Sequence, residues 1–161
     1  MSHHDALRQV FRKTNGSWTA HFEPDARRCF ALEFTDLSHA EDANERMQTI
    51  GQLGHETFNL KDGPMLKLLH FRMKDGDRLG VIIHHLLVDG ISWRILLEDL
   101  STLYSQISVG KGLKLPLKTD SIQKWAASLA HYQPAQTNVK TYWINVVRKQ
   151  VDPLPLDSGK R

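Results

Sequence analysis

A single cysteine, Cys29, is all the sequence holds, so no intrachain disulfide forms and a disulfide-stapled secreted scaffold is excluded. Long apolar runs are missing too: none approaches the ~18 residues that a membrane span requires, and no signal-peptide core opens the chain. The expectation is a soluble, cytoplasmic protein with no membrane partner. Charge of one sign is equally scarce, with 21 Lys plus Arg against 18 Asp plus Glu giving a formal net charge of +3. The basic residues come in scattered pairs, Arg27 with Arg28 and Arg148 with Lys149, and form no cationic stripe with interleaved aromatics, which argues against nucleic acid. No repeat and no low-complexity segment interrupts the chain.

What is present is ordinary globular composition: 161 residues, 40% hydrophobic and 24% charged, enough for one compact domain or one lobe of a larger one. Asp5 to Phe11 reads as the last turns of a helix. Asn15-Gly16 marks a hairpin turn between extended segments near Val10 to Arg12 and Trp18 to Phe22. The alternating run Cys29 to Phe34 predicts a strand that buries Cys29 as a structural thiol. A helix follows from about Ala40 to Glu56, with Ala43, Met47, Ile50, Leu53 and His55 on one face. After a loop over Phe58 to Pro64, Met65 to Met73 and Leu79 to His84 read as strands joined by a turn at Lys74 to Asp77.

Ile91 to Ile107 is helical and apolar on more than one side, which predicts a helix buried between layers. Gly110 and Gly112 stop it, and Trp93 and Leu97 read as core packing. Ser121 is placed to cap a helix through Trp125 to about His131, and a last helix spans roughly Thr137 to Lys149 before a proline-rich tail from Asp152. Together these elements predict an α/β (α+β) sandwich, a mixed, largely antiparallel sheet packed by helices.

Ionisable groups sit among apolar residues in one stretch, Val81 to Gly90, which holds His84, His85 and Asp89. Unpaired polar groups are costly in such surroundings. A strand ending there would turn the two imidazoles to opposite faces, so they should have different tasks. An imidazole at the end of a buried strand suits general acid or base chemistry near neutral pH; a histidine that merely satisfies its own hydrogen bonds is the competing reading. A zinc site is disfavoured, because adjacent histidines on a strand diverge and no third imidazole stands at ligand spacing. His3 and His4 do not supply one.

The run from His84 through Leu100 closely resembles the HHxxxDG core motif of nonribosomal peptide synthetase condensation-type domains, members of the chloramphenicol acetyltransferase-like superfamily. Its continuation, Ser92-Trp93-Arg94-Ile95-Leu96 and then Glu98-Asp99-Leu100, resembles the epimerization subtype. Three further segments agree in order: His3-His4-Asp5-Ala6-Leu7-Arg8 with Phe11; Phe58-Asn59-Leu60 with Gly63-Pro64, where Asn stands in place of the family's Asp; and Leu115-Pro116, Lys118 to Ser121, Trp125-Ala126 and Tyr142-Trp143.

The resemblance implies that residues 1–161 are the N-terminal lobe, lacking the opening strand, most of the first helix and the whole C-terminal lobe. It implies that His85 is catalytic, with His84, Asp89, Gly90 and Arg8 supporting it, Arg8 pairing with Asp89 and Gly90 allowing a tight turn. No cofactor or metal binds directly; the phosphopantetheine arm of a peptidyl carrier protein domain delivers the substrate. The reaction implied is inversion at the α-carbon of a carrier-bound aminoacyl or peptidyl thioester. The implied partners are that carrier, the C-terminal lobe and adjacent synthetase modules, with self-association through an exposed lobe face. Alternatives are a peptide-bond-forming condensation domain and a noncatalytic carrier-binding module of the same fold. The polypeptide alone is expected to be catalytically poor, since half the cavity and the opposing acid or base would be absent.

Overall fold

The computed structural model describes residues 1–132 and 137–149, in one compact unit up to Ser121 and a second from Ile122 onward. The first opens with a 3₁₀ turn over Asp5–Arg8 that passes directly into strand β1, Gln9–Thr14. The helical reading of Asp5 to Phe11 is thereby corrected. Gln9 already pairs with Phe22 of β2, Ser17–Phe22, so the ladder claims the last residues of the apolar stretch before an α-turn can close. Asn15 and Gly16 join the strands with φ of 51° and 84°, the positive angles that a two-residue hairpin turn demands.

Cys29 also departs from expectation. It ends a 3₁₀ turn over Ala26–Arg28, whose Arg27 amide donates to the Asp25 carboxylate. Strand β3 begins two residues later and spans Ala31–Asp36. The thiol is buried and directs its Sγ toward the Asp25 carbonyl at 3.4 Å. Burial, reinforced by the Glu23 carboxylate, pushes its pKa up, so the structural role holds although the strand begins two residues beyond it.

Strand β3 runs parallel to β4, Leu66–Met73, through the connecting helix α1, Ala43–Glu56. A two-residue turn at Lys74-Asp75 returns the chain as β5, Gly76–Ile83, antiparallel to β4. The sheet order is β3-β4-β5. Alternation along the strands divides the interior in two. Leu69, Phe71, Met73 and Ile82 meet Leu37 and the Ala43, Met47 and Ile50 side of α1. Leu66 joins Leu7, Met65, Leu87 and Val88, backed by Ile83 and by Trp93 and Leu96 of α2, Gly90–Ser108.

The buried stripe of α1 is completed by Gly54, not by Leu53 or His55, both of which are exposed. The spacing 43, 47, 50, 54 follows the helical repeat, and a Cβ on Gly54 would lie 2.5 Å from Ile82 Cδ1. Glycine thus lets α1 approach β5 closely. The expectation of a buried α2 is likewise corrected: Ile91, Ile95, Leu97, Leu100, Tyr104 and Ile107 are exposed, while Trp93 and Leu96 pack against the core. Leu97 is therefore not a core residue within this unit. Gly110, at φ 68°, follows the helix end as expected.

The second unit contains α3, Ile122–Ala130, and α4, Thr137–Arg148, close to the expected bounds. The tail from Asp152 lies outside the described residues. The architecture is the expected mixed α/β arrangement of sheet packed by helices.

Candidate active site

The ladder between β4 and β5 continues one rung beyond β5, where the His84 amide donates to the Met65 carbonyl at 2.9 Å. The chain then reverses. The Leu87 amide donates to the His84 carbonyl at 2.9 Å, closing a four-residue turn with His85 and Leu86 at its corner. Leu87 and Val88 are each 6% exposed and anchor the turn in the core beside Leu7, Met65 and Leu66.

His84 holds this corner from within. Its Nδ1 accepts the Leu86 amide at 3.1 Å, which places the proton of the neutral ring on Nε2. The Phe58 ring meets it edge to face, with centroids 5.6 Å apart and planes at 78°. His85 is exposed and, among the described residues, its ring makes no hydrogen bond. The expectation that it ends a buried strand with restricted water is thus corrected for this chain. The inference that the two histidines have different tasks fits the geometry: one ring is built into the turn and the other projects from it.

Asp89 caps α2. Its Oδ1 accepts the Ser92 amide at 2.8 Å and the Ser92 hydroxyl at 2.7 Å, as an N-cap residue does. These bonds, the amide first, hold its carboxyl below the usual carboxylate range. A depressed folded pKa means that the cap contributes fully above the ordinary value of about 3.9 and is lost as pH falls through the lowered one. Asp89→Asn is therefore expected to keep the Ser92 amide protected and abolish the acid-limb loss of protection, while Asp89→Ala weakens it at every pH. Hydrogen exchange at Ser92, followed from neutral pH down through and below the ordinary carboxyl value of about 3.9, checks both.

Gly90 begins α2 without a positive φ, and a Cβ there would meet nothing within 4 Å. A steric need for glycine in this turn is thus absent from the unit. Arg8 does not pair with Asp89. It donates to Asp5 at 2.6 Å and toward the Glu23 carbonyl at 3.5 Å, with its Nε buried and unpartnered. The 3₁₀ turn accounts for this, because it places Asp5 and Arg8 three residues apart on one side.

Asp5 also accepts from Lys118 at 2.8 Å, and the two cations, Lys118 first, lower its pKa. His4 Nε2 lies 2.6 Å from Asp99 Oδ2 on α2. His3 stands beside them, so that potential ligand atoms of His3, His4 and Asp99 all lie within 4.8 Å of one another. These residues could hold a metal ion. Sequence spacing set the two N-terminal histidines aside, and only the fold brings Asp99 to them. Phe58, Met65 and Ser92 were also missed as parts of the His85 support; Ser92, three residues after an Asp at a helix start, could have been read as a capping partner.

The family model for the condensation domain matches residues 1–161. Surfactin synthase subunit 2 of Bacillus subtilis (strain 168) is 36% identical over 161 residues, covering 98% of this chain and 4% of that protein. Tyrocidine synthase 1 of Brevibacillus parabrevis is 40% identical over 132 residues, covering 82% and 12%. Among solved structures, the epimerization domain from the third module of tyrocidine synthetase B superposes with a TM-score of 0.85 at 37% identity, covering 96% of this chain and 36% of that one. The starter condensation domain of rhizomide synthetase shares the fold, with a TM-score of 0.76 at 18% identity and coverage of 94% and 37%. This chain therefore spans about a third of the length of these solved domains, and it belongs to the condensation-domain family of the nonribosomal peptide synthetases.

Proposed function

We propose that the chain is the N-terminal lobe of an epimerization domain and that His85 is an acid–base group of its active site. The observation that carries the chemical part is the turn from His84 to Leu87, which fixes its backbone in the core while leaving the His85 imidazole free to meet a ligand. The subtype is supported by the 37% identity to a solved epimerization domain and by the Ser92 to Leu96 continuation of the motif.

In this reading a carrier domain presents an aminoacyl or peptidyl thioester on its phosphopantetheine arm. A base removes the α-proton, the electron pair of the broken C–H bond moves into the thioester carbonyl, and a proton returned to the opposite face inverts the centre. The enolate oxygen needs donors where its charge develops. His85 serves one face of that carbon; the other requires a group from the remainder of the domain. The exposed apolar side chains of α2 and of β3, including Leu32 and Phe34, are surface that such a remainder would cover.

The test uses the complete domain with an aminoacyl-loaded carrier protein in D₂O. Epimerization predicts deuterium at Cα and both stereoisomers in the recovered acyl group. A condensation domain, the second reading, would form a peptide product when offered two loaded carriers and incorporate no solvent deuterium. That outcome would refute the subtype.

A further inference from the structure

Lys67 is the only charged side chain classed as buried among the described residues, at 8% exposure. It lies on β4 opposite Ile82 of β5, and alternation points it to the α1 side of the sheet together with Leu69 and Phe71. Among the described residues its ammonium has a hydroxyl and an aromatic ring for partners, not a carboxylate: Nζ donates to Thr57 Oγ1 and stands 5.7 Å from the centroid of Phe58. An ammonium buried without a counter-charge costs far more than an apolar side chain of similar length. Space-filling alone would favour Leu or Met here.

We propose that Lys67 is a positioning residue for His85, acting through Phe58 and His84 on the turn that presents the imidazole. This rests on the reading of His85 as the working group. The contacts run in sequence. The ammonium fixes Thr57 at the end of α1 and sits over the Phe58 ring, a cation–π contact with a preferred orientation. Phe58 meets the His84 ring edge to face, a geometry with its own angular preference. His84, so oriented, aims Nδ1 at the Leu86 amide. The backbone supplies the second restraint, because the His84 amide bonds Met65, two residues before Lys67 on β4. One short stretch, from Met65 just before β4 to Lys67 within it, therefore holds His84 by its main chain and, through Phe58, by its ring.

Lys67→Met keeps the apolar stem and removes the charge, whereas Lys67→Arg keeps the charge. In this chain, Lys67→Met is expected to fold with an unchanged or higher Tm while protection of the Leu86 amide against hydrogen exchange falls about fivefold, the worth of one ordinary hydrogen bond. In the complete domain, kcat for Cα-proton exchange is expected to fall by a similar factor with KM unchanged, and Lys67→Arg to restore both readouts. Wild-type protection at Leu86 in Lys67→Met would overturn the proposal. Should that variant fail to fold, Phe58→Leu breaks the same relay with Lys67 in place, and unaltered Leu86 protection there would overturn it equally. If Leu86 responds to Lys67 but the complete wild-type domain exchanges no Cα proton, the coupling stands and the epimerization reading fails.

Discussion

Replacing His85 by alanine in the complete domain is expected to lower Cα-proton exchange on a carrier-bound substrate by about 10²–10⁴-fold, the usual worth of a positioned acid–base group. Carrier binding should be unchanged, because the variation removes a ring that projects from the turn. Stability should also be preserved, within about 0.5 kcal/mol, as for exposed substitutions that leave packing and capping intact. The reason is visible in the turn: its two main-chain bonds, from the His84 amide to Met65 and from the Leu87 amide to His84, do not involve the His85 side chain. A drop in exchange together with a lost melting transition would point to a structural histidine. Unchanged exchange would remove His85 from the chemistry and favour a carrier-binding module.

Phe71→Ala is expected to cost about 3–5 kcal/mol of folding stability, the range for deleting a buried aromatic ring. Phe71 is 3% exposed and packs on the α1 side of the sheet with Leu37, Leu69, Met73 and Ile82. Small domains have about 5–15 kcal/mol in hand, so a single truncation here consumes a large share and should be evident as a shift of the urea midpoint. Phe34 provides the contrast on the same sheet. It is 54% exposed and sits between Arg72, 5.2 Å from its ring centroid, and His70, so Phe34→Ala should change stability far less. Equal losses for the two would mean that the assigned core is wrong.

Much of this was legible in residue order, and the parts that were not have identifiable causes. Asn15-Gly16 fixed a hairpin because few dipeptides accept two positive φ angles. The strands at β4 and β5 and the helices α1, α2, α3 and α4 followed from periodicity and breakers. The segment from Asp5 to Phe11 misled because its apolar spacing suits a helix locally, while its hydrogen bonds go to β2. Leu53 misled because Gly54, one position on, occupies the helix face that meets Ile82. The all-round apolar pattern of α2 does mark surface that favours burial, yet this unit covers only one stripe of it.

His84, His85, Asp89 and Gly90 stand out in the sequence as a motif, but their arrangement does not follow from it. A strand end would set the imidazoles on opposite faces; a β-turn instead uses one ring as a fastening and lets the other project. The partner of Asp89 was assigned to a distant cation, Arg8, when a nearer group sufficed: Ser92 is within one helical turn. Contacts such as Phe58 with His84 and His4 with Asp99 depend on tertiary placement and leave no local pattern to read.

The parallel pairing of β3 with β4 has a consequence for the order in which the sheet assembles. β4 and β5 are joined by only Lys74-Asp75, so they can zip together as a local hairpin within about 1–10 μs. β3 has no such shortcut, since it reaches β4 only after the chain has crossed through α1 and closed a long loop. Like β5 it is an outer strand, paired in the sheet with β4, and its Leu32 and Phe34 side chains are exposed. The strand that arrives last has no short turn tying it to its neighbour, so on warming it should peel away first, ahead of the hairpin that carries the histidine turn.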